Sequence, residues 1–310
     1  MSYKFFMALF GIRILAALIL CSTFLIAFLQ SVYAQEPTST INIVTHHSLY
    51  GGGRIYAPIR IDNYKGFMRL DTGASTSRFH KSAWNKKFII TNTAHSISAT
   101  AVVAKCEEVV VPNLSIIAQS GNAIGRVNYF ATRCPISSGD DLLGIDFLKG
   151  SEFTIDLKAN QLRFFEPIPR EGKTHLLRAL GRDKDLIGIE IDIGELSTYG
   201  LLDTGAEITA VDSVYFNAHP ELFESVKSRI SMRGVNGKTI TSRLCKIKSI
   251  FLGEGFFIKN LYAIVYDFGA LRDEIGDNIP FILGYNFFDK YKWHFNFKKN
   301  ITPTWNVYNY

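Results

Sequence analysis

Two stretches of the sequence have the same design and decide the fold class. The first is APIRIDNYKGFMRLDTGAS, residues 57–75, and the second is IGIEIDIGELSTYGLLDTGAE, residues 187–207. Each begins with apolar residues at alternate positions, passes a turn rich in Gly, Asn or Ser, and rises in a second apolar run to Asp-Thr-Gly-Ala. Such alternation predicts β-strands, and the polar turn between them predicts a hairpin. We therefore expect two β-hairpins that each deliver one aspartate, Asp71 or Asp203, into a loop.

The agreement between the two stretches continues downstream. The segment LLGIDFL at residues 142–148 matches ILGYNFF at residues 282–288, and an alternating apolar strand follows each, Phe153–Leu157 and Trp293–Phe297. A fixed order of matching segments is the mark of an internal repeat. The chain is therefore predicted to be a tandem duplication of one mostly β unit, and the fold class expected is all-β.

The length of the chain and one segment rich in proline and charge indicate how the two copies are divided into domains. The chain has 310 residues, of which 47% are hydrophobic, enough to bury a full core. The prolines, glycine and charges of EPIPREGK, residues 166–173, prevent a regular element and favour solvent. We expect a first domain at residues 35–166, a linker at 167–173 and a second domain at 174–310. One or two helices are expected within residues 212–229, and a strand at Thr40–Val44.

The first residues have the features of a targeting signal. Residues 1–34 contain Lys4 and Arg13 and no acid, with a mostly apolar run at residues 14–29 that is short for a membrane span of about 20 residues. The run is followed by the small-x-small pattern Val32-Tyr33-Ala34, which signal peptidases accept. This pattern predicts a signal peptide cleaved after Ala34, and hence a secreted or periplasmic protein. The alternative is an uncleaved membrane anchor through residues 14–29.

Charge and cysteine content narrow the possible partners. The formal net charge is +6, and the basic residues are scattered among acids, which argues against nucleic-acid binding. No Cys-x-x-Cys or His-x-x-x-His spacing is present, so we expect neither a metal site nor a cofactor. Beyond the signal lie Cys106, Cys134 and Cys245, which cannot all pair within one chain. Cys106 and Cys134 are the expected pair if a disulfide forms, and the alternative is that none does.

The two Asp-Thr-Gly-Ala segments, each with a distant apolar-Leu-Gly, resemble the defining motifs of pepsin-like and retropepsin-like aspartic proteases. The resemblance covers most of the chain and implies a bilobal fold of two homologous β-barrel-like lobes with an active-site cleft between them. It implies that Asp71 and Asp203 form the catalytic dyad. It further implies that Thr72 and Thr204 hydrogen-bond across the lobes, and that two glycines, Gly73 and Gly205, let backbone approach the carboxylates. Because one chain carries both halves, a monomer is expected.

The chemistry of two adjacent carboxyl groups supports the same role for Asp71 and Asp203. Peptide hydrolysis by water needs a base for the water and an acid for the carbonyl oxygen, and a proton-sharing pair supplies both. The sequence thus predicts an aspartic endopeptidase that acts on protein or peptide substrates. The alternative is a catalytically silent peptide-binding protein of the same fold. The residues after each Asp-Thr-Gly, Ala74 and Ala206, cannot donate a hydroxyl hydrogen bond to the carboxylates, which predicts a mildly acidic to near-neutral pH optimum.

The substrate contacts are less well defined by the sequence. The expected substrate-binding residues are those that follow each motif and those of a possible flap hairpin: Ala74, Ser75, Ala206, Glu207, Gly234 and Gly237. Glu207 could bind substrate amides or could be an ion-paired surface residue. The glycines at 234 and 237 could belong to a flap or to an ordinary Asn-Gly turn.

Overall fold

The strands of the computed structural model follow the predicted repeat. The structure describes residues 38–97, 103–119, 123–135, 139–166, 173–233, 239–276 and 278–310. The predicted signal peptide therefore lies outside the described residues, as does all of the predicted linker except Lys173. Within the described part of the chain, no helix is long and apolar enough to cross a membrane.

The first half contains eleven strands and two short helical segments. The strands are β1 (Ser39–Asn42), β2 (Val44–His47), β3 (Gly53–Ile61), β4 (Tyr64–Asp71), β5 (Arg78–His80), β6 (Ile89–Ile97), β7 (Val103–Ile117), β8 (Ala123–Cys134), β9 (Leu142–Gly144), β10 (Glu152–Asp156) and β11 (Gln161–Phe164). The helical segments are a 3₁₀ turn at Leu49–Gly51 and α1 (Ile145–Leu148).

The second half repeats this arrangement with small additions. Its strands are β12 (His175–Leu176), β13 (Arg178–Leu180), β14 (Leu186–Ile193), β15 (Leu196–Leu202), β16 (Thr209–Asp212), β17 (Phe223–Arg233), β18 (Thr239–Phe251), β19 (Phe257–Tyr266), β20 (Phe281–Leu283), β21 (Lys292–Asn296) and β22 (Thr304–Tyr308). Its helices are α2 (Ser213–Ala218), a 3₁₀ turn at Pro220–Leu222, α3 (Ala270–Ile275) and α4 (Tyr285–Phe288).

The sheet topology confirms the all-β class and shows the duplication directly. One eight-stranded sheet has the order β2-β3-β4-β9-β5-β8-β7-β6, and the other has the order β13-β14-β15-β20-β16-β19-β18-β17. The two orders match strand for strand. In each, the strand that leads to the aspartate runs parallel to the short apolar-Leu-Gly strand: β4 beside β9, and β15 beside β20. This pairing places both aspartates at equivalent points of the two sheets.

A third sheet joins the halves and holds much of the aromatic core. Its order is β1-β11-β10-β21-β22-β12, so three strands come from each half. At its centre β10 pairs with β21, where Phe153 lies opposite Phe295 and Ile155 opposite Trp293, all of them buried. The predicted strands at 153–157 and 293–297 are therefore confirmed within one residue. The strand expected at Thr40–Val44 is present in part: β1 covers Ser39–Asn42 and pairs with β11 in this sheet, whereas Val44 begins β2 of the first eight-stranded sheet.

The helices expected within residues 212–229 are present and short. They are α2 and the 3₁₀ turn after it, and β17 begins at Phe223. The segment after Leu222 is a strand because it pairs with β18 along its length, from Phe223 opposite Ile247 onward. Such pairing overrides a weak local preference for helix.

Register also decides the disulfide that the sequence left open. Glu107 of β7 lies opposite Arg133 of β8, so the residues next to them, Cys106 and Cys134, face each other across the two strands. The structure joins them in a disulfide with a Cα–Cα distance of 4.4 Å. Cys245 is buried and, in the described part of the chain, has no disulfide partner.

Candidate active site

The two Asp-Thr-Gly loops meet between the halves. Asp71 is the last residue of β4, and Asp203 follows directly after β15. Each aspartate begins a tight turn that is closed by a backbone hydrogen bond. The amide of Ala74 donates to the Asp71 carbonyl at 3.1 Å, and the amide of Ala206 donates to the Asp203 carbonyl at 3.1 Å. The two motifs thus adopt the same tight turn and present their carboxyl groups to each other.

Four reciprocal hydrogen bonds fix the loops together. The hydroxyl of Thr72 donates to the Leu202 carbonyl at 2.8 Å and accepts from the amide of Thr204 at 3.0 Å. The hydroxyl of Thr204 in turn donates to the Leu70 carbonyl at 2.9 Å and accepts from the amide of Thr72 at 3.1 Å. Both threonines are buried. The role expected for Thr72 and Thr204 is therefore present in the geometry.

The glycines of the two motifs allow the carboxyl groups to approach. A Cβ atom added to Gly73 would lie 2.4 Å from Cγ of Asp203, and one added to Gly205 would lie 2.3 Å from Cγ of Asp71. Any side chain at either position would therefore overlap with the carboxyl group of the opposite half. Glycine is required at both positions because a carboxyl group occupies the space that a Cβ would need.

The surroundings of the pair disfavour the charged form of Asp203. The Asp71 side chain is buried, whereas Asp203 keeps some contact with solvent although protein atoms surround it closely. Burial, followed by the charge of Asp71 and a hydrogen bond to it, raises the pKa of Asp203 well above its usual range. The amide of Ala206 donates to Oδ1 of Asp203 at 3.0 Å, so one oxygen of this group has a fixed backbone partner.

A support behind each loop was missed by the sequence analysis. In the first half, Oδ1 of Asp146 accepts from the amide and the hydroxyl of Ser77 at 3.0 and 3.1 Å. In the second half, Oδ1 of Asn286 accepts from the amide and the hydroxyl of Thr209 at 2.8 and 2.9 Å. The available signal was the repeat itself, since Asp146 and Asn286 occupy the same position after the Leu-Gly pairs. A Cβ on the glycine of either pair would lie 2.8 Å or less from the backbone of the loop, which gives these glycines a packing role.

Two arginines near the dyad were also missed. Arg69, two residues before Asp71, donates from Nη2 to the Gly205 carbonyl at 2.5 Å, and its charge lowers the pKa of Asp203 against the larger effect of burial. Arg78 is 5% exposed and interacts electrostatically with Asp71. The positions equivalent to these two in the second repeat hold Leu201 and Ala210. At these two equivalent positions, the first half therefore carries a charge and the second half does not.

The predicted substrate-binding residues lie in different surroundings. Ala74 and Ala206 are partly exposed beside the dyad, and Ser75 is exposed. Glu207 forms an ion pair with Arg54 of the first half, with Oε1 at 2.7 Å from Nε and 2.6 Å from Nη2. Gly234 and Gly237 lie outside the described residues, so their place in a flap stays a prediction.

Within the described residues, no group of three or more His, Cys, Asp or Glu side chains could hold a metal ion.

Comparison with known proteins supports the fold. No protein-family model matches the chain, and no curated protein is similar to it in sequence. Among solved structures, the chain is similar to the crystal structure of basic 7S globulin from soybean, with a TM-score of 0.51 and 10% sequence identity over 87% of this chain and 94% of the globulin. At this identity the likeness shows the fold alone, which is an all-β, pepsin-like structure with two β-rich lobes.

Proposed function

We propose that the protein is an aspartic endopeptidase in which Asp71 and Asp203 hydrolyse peptide bonds of protein substrates. The observation that carries this proposal is the contact of the two carboxyl groups, each packed against the glycine of the opposite loop. Two carboxyl groups brought this close destabilise each other when both are charged, so a fold built only for stability has no reason to pair them. The reciprocal threonine bonds hold this unfavourable arrangement in place.

The geometry supports a division of labour between the two groups. Burial and the neighbouring carboxyl group raise the pKa of Asp203, so the pair as a whole keeps one proton, which both groups share. The charged member of the pair accepts a proton from the attacking water while the protonated member donates its proton to the carbonyl oxygen of the substrate. The water oxygen forms a bond to the carbonyl carbon, which gives a neutral tetrahedral intermediate. Its collapse breaks the C–N bond as the proton taken from water passes to the leaving nitrogen and a hydroxyl proton of the intermediate returns to the other carboxylate.

The working pH follows from the same charges. The pair is active in the pH range in which it holds one proton, above the pKa for loss of the first proton and below the pKa for loss of the second. The raised pKa of Asp203 extends this pH range upward. Neither Ala74 nor Ala206 carries a hydroxyl group that could stabilise the charged form. We therefore expect maximal activity at mildly acidic to near-neutral pH. An optimum below about pH 3 would contradict this reasoning, since an ordinary Asp of pKa about 3.9 is already protonated there.

The remaining features concern location and assembly. We propose that residues 1–34 direct export and that the mature protein is a secreted or periplasmic monomer. The Cys106–Cys134 disulfide supports an oxidising compartment, where such bonds persist. Retention of residues 14–29 as an anchor is the alternative, and the mass of the mature protein decides between the two.

The second candidate is a protein that binds peptides without hydrolysing them, since the solved structure reported above is named as a globulin.

Both candidates are tested by cleavage of an unfolded casein-like protein from pH 3 to 8, with the wild type beside Asp71→Asn and Asp203→Asn. The proposal predicts cleavage by the wild type that both variants lose. Cleavage that survives both substitutions would refute the dyad mechanism. Peptide binding by a folded wild type that cleaves nothing would favour the silent protein.

A further inference from the structure

One face of the first-half sheet carries two arginines beside the dyad. Arg69 of β4 and Arg78 of β5 both pair in register with Leu142 of β9, the short strand between them. Residues that pair in register point to the same face of a sheet, and so do residues two apart on one strand. Arg69, Arg78 and Asp71 therefore share one face, and Leu142 lies between the two arginines on it.

This face is turned away from the core of the first half and toward the second Asp-Thr-Gly loop. The neighbouring residues on the same three strands point the other way and are fully buried in the apolar core: Leu70, Leu143 and Phe79. The guanidinium of Arg69 reaches the Gly205 carbonyl of the second half at 2.5 Å. Burial lowers the pKa of Arg78, and the charge of Asp71 is the strongest of the charges that oppose this effect. Both arginines thus lie close enough to the dyad to meet a peptide bound there.

The guanidinium of Arg78 has donors that the described part of the chain does not use. Arg78 is 5% exposed, and a guanidinium carries five N–H donors. Among the described residues, it makes one long hydrogen bond, from Nη1 to the Ser96 hydroxyl at 3.5 Å, and no carboxylate forms an ion pair with it. Because buried polar groups are normally hydrogen-bonded, this arrangement favours an acceptor that comes from a ligand.

The acids that act most strongly on Arg78 have other partners. Asp141 is bound to His80, through Nδ1 at 2.5 Å and through the amide at 2.8 Å. Asp71 belongs to the dyad. Their charges favour the cationic form of Arg78 from a distance, without occupying its hydrogen-bond donors. The guanidinium is therefore charged and available to a carboxylate.

The second half provides an internal reference for this face. The residues equivalent to the two arginines and to Leu142 pair in the same register and are all apolar: Leu201, Ala210 and Ile282. They are buried in one apolar cluster of the second half. The repeat unit therefore folds without charges at these positions. Two buried arginines confined to one copy need an explanation other than the fold, and an anionic ligand supplies one.

We propose that Arg78 binds the carboxylate of an Asp or Glu side chain in a peptide held across the dyad. Its planar guanidinium matches the two oxygens of a carboxylate, and such charge-assisted bonds are about twice as strong as neutral ones. Arg69 is a second cation on the far side of Leu142, which offers apolar contact to the methylene groups of the bound side chain. This assignment rests on the proposed function for the identity of the ligand as a peptide.

The experiment uses peptides with both ends capped, so that a side chain provides the only carboxylate. A set places one Glu at each position on either side of a cleavable bond, and a matched set places Gln there. At about pH 6, where Glu is charged, we expect the wild-type kcat/KM to favour Glu about tenfold or more at one position. Arg78→Gln should reduce this ratio to about 1. The control Arg60→Gln, which removes an exposed arginine of β3, should leave the ratio unchanged.

Two further measurements separate binding of the side chain from other roles of Arg78. The wild-type preference should fall below about pH 4.3, because the Glu side chain then takes up a proton. Arg78→Lys keeps the charge but not the planar fork, so it should retain part of the preference, and it serves as the test if Arg78→Gln does not fold. An equal loss of kcat/KM on Glu and Gln peptides would show that Arg78 acts on the dyad instead of the substrate, and would overturn the proposal.

Binding separates failure of this assignment from failure of the proposed enzyme. Anisotropy of labelled peptides measures their affinity for Asp203→Asn, which leaves Asp71 beside Arg78, with or without Arg78→Gln. Tighter binding of a Glu peptide that disappears with Arg78→Gln supports the site even when the wild type cleaves nothing. Equal handling of Glu and Gln peptides at every position overturns the proposal, as does a preference for Glu that persists in Arg78→Gln.

Discussion

Replacement of Thr204 by Val tests how the two halves are held together. Valine keeps the shape of threonine but removes a buried hydroxyl that donates to the Leu70 carbonyl at 2.9 Å and accepts from the Thr72 amide at 3.1 Å. Both backbone groups are buried and would be left without a partner, at about 1–3 kcal/mol each. We therefore expect Thr204→Val to lower the free energy of unfolding by about 2–6 kcal/mol, a large part of the roughly 5–15 kcal/mol of a typical protein.

Urea-induced unfolding, followed by tryptophan fluorescence at neutral pH, measures this difference. The midpoint should fall while the slope with denaturant stays the same, because the surface exposed on unfolding does not change. Thr198→Val on the same strand, β15, is the matched control and should shift the free energy by no more than about 0.5 kcal/mol. A loss below about 1 kcal/mol for Thr204→Val, or one no larger than that of the control, would show that the reciprocal bonds do not hold the loops.

Three further predictions concern the glycine contacts, the disulfide and the dyad charge. Gly205→Ala should abolish cleavage while the protein stays folded, because its Cβ would lie 2.3 Å from Cγ of Asp71; activity above about a tenth of wild type would contradict this contact. Substitution of Cys106 and Cys134 by Ser should lower the free energy of unfolding by about 2–4 kcal/mol, as the bond closes a loop with a sequence separation of 28; unchanged thermal unfolding would argue against the bond. The raised pKa of Asp203 means that its ionisation opposes folding as pH rises above the unfolded value of about 3.9. Asp203→Asn should therefore match the wild type in stability near pH 3 and exceed it at pH 7, by about 1.4 kcal/mol for each unit of the pKa shift; a difference independent of pH would refute this.

The repeat, together with the resemblance of its two Asp-Thr-Gly segments to those of aspartic proteases, made the dyad and the bonds that hold it predictable. The resemblance implied the roles of Thr72 and Thr204, and the structure has all four bonds. The β-strands around the motifs were predictable for a related reason. Their apolar residues alternate with a period of two because one face of each strand is buried, as in β3.

Features that depend on register between distant strands could not be predicted in this way. A separation of 28 residues between Cys106 and Cys134 is compatible with many arrangements, and only the pairing of β7 with β8 places them face to face. Likewise, the ion pair of Arg54 with Glu207 joins side chains 153 positions apart across the two halves. Sequence reasoning kept the ion-paired form of Glu207 as one of two alternatives, because nothing local identifies its partner.

The differences between the two halves show what a duplicated site needs in order to bind a substrate with direction. The threonines and glycines of the two loops are arranged symmetrically because both carboxyl groups must be held in the same way. A peptide chain, however, has two different ends, and a symmetric cleft would accept it in either direction. Charges that break the symmetry lie close to the dyad in the first half: Arg69 and Arg78 stand where the second half has Leu201 and Ala210. Because both charges belong to one half, a peptide bound in one direction meets different electrostatic surroundings from a peptide bound in the other.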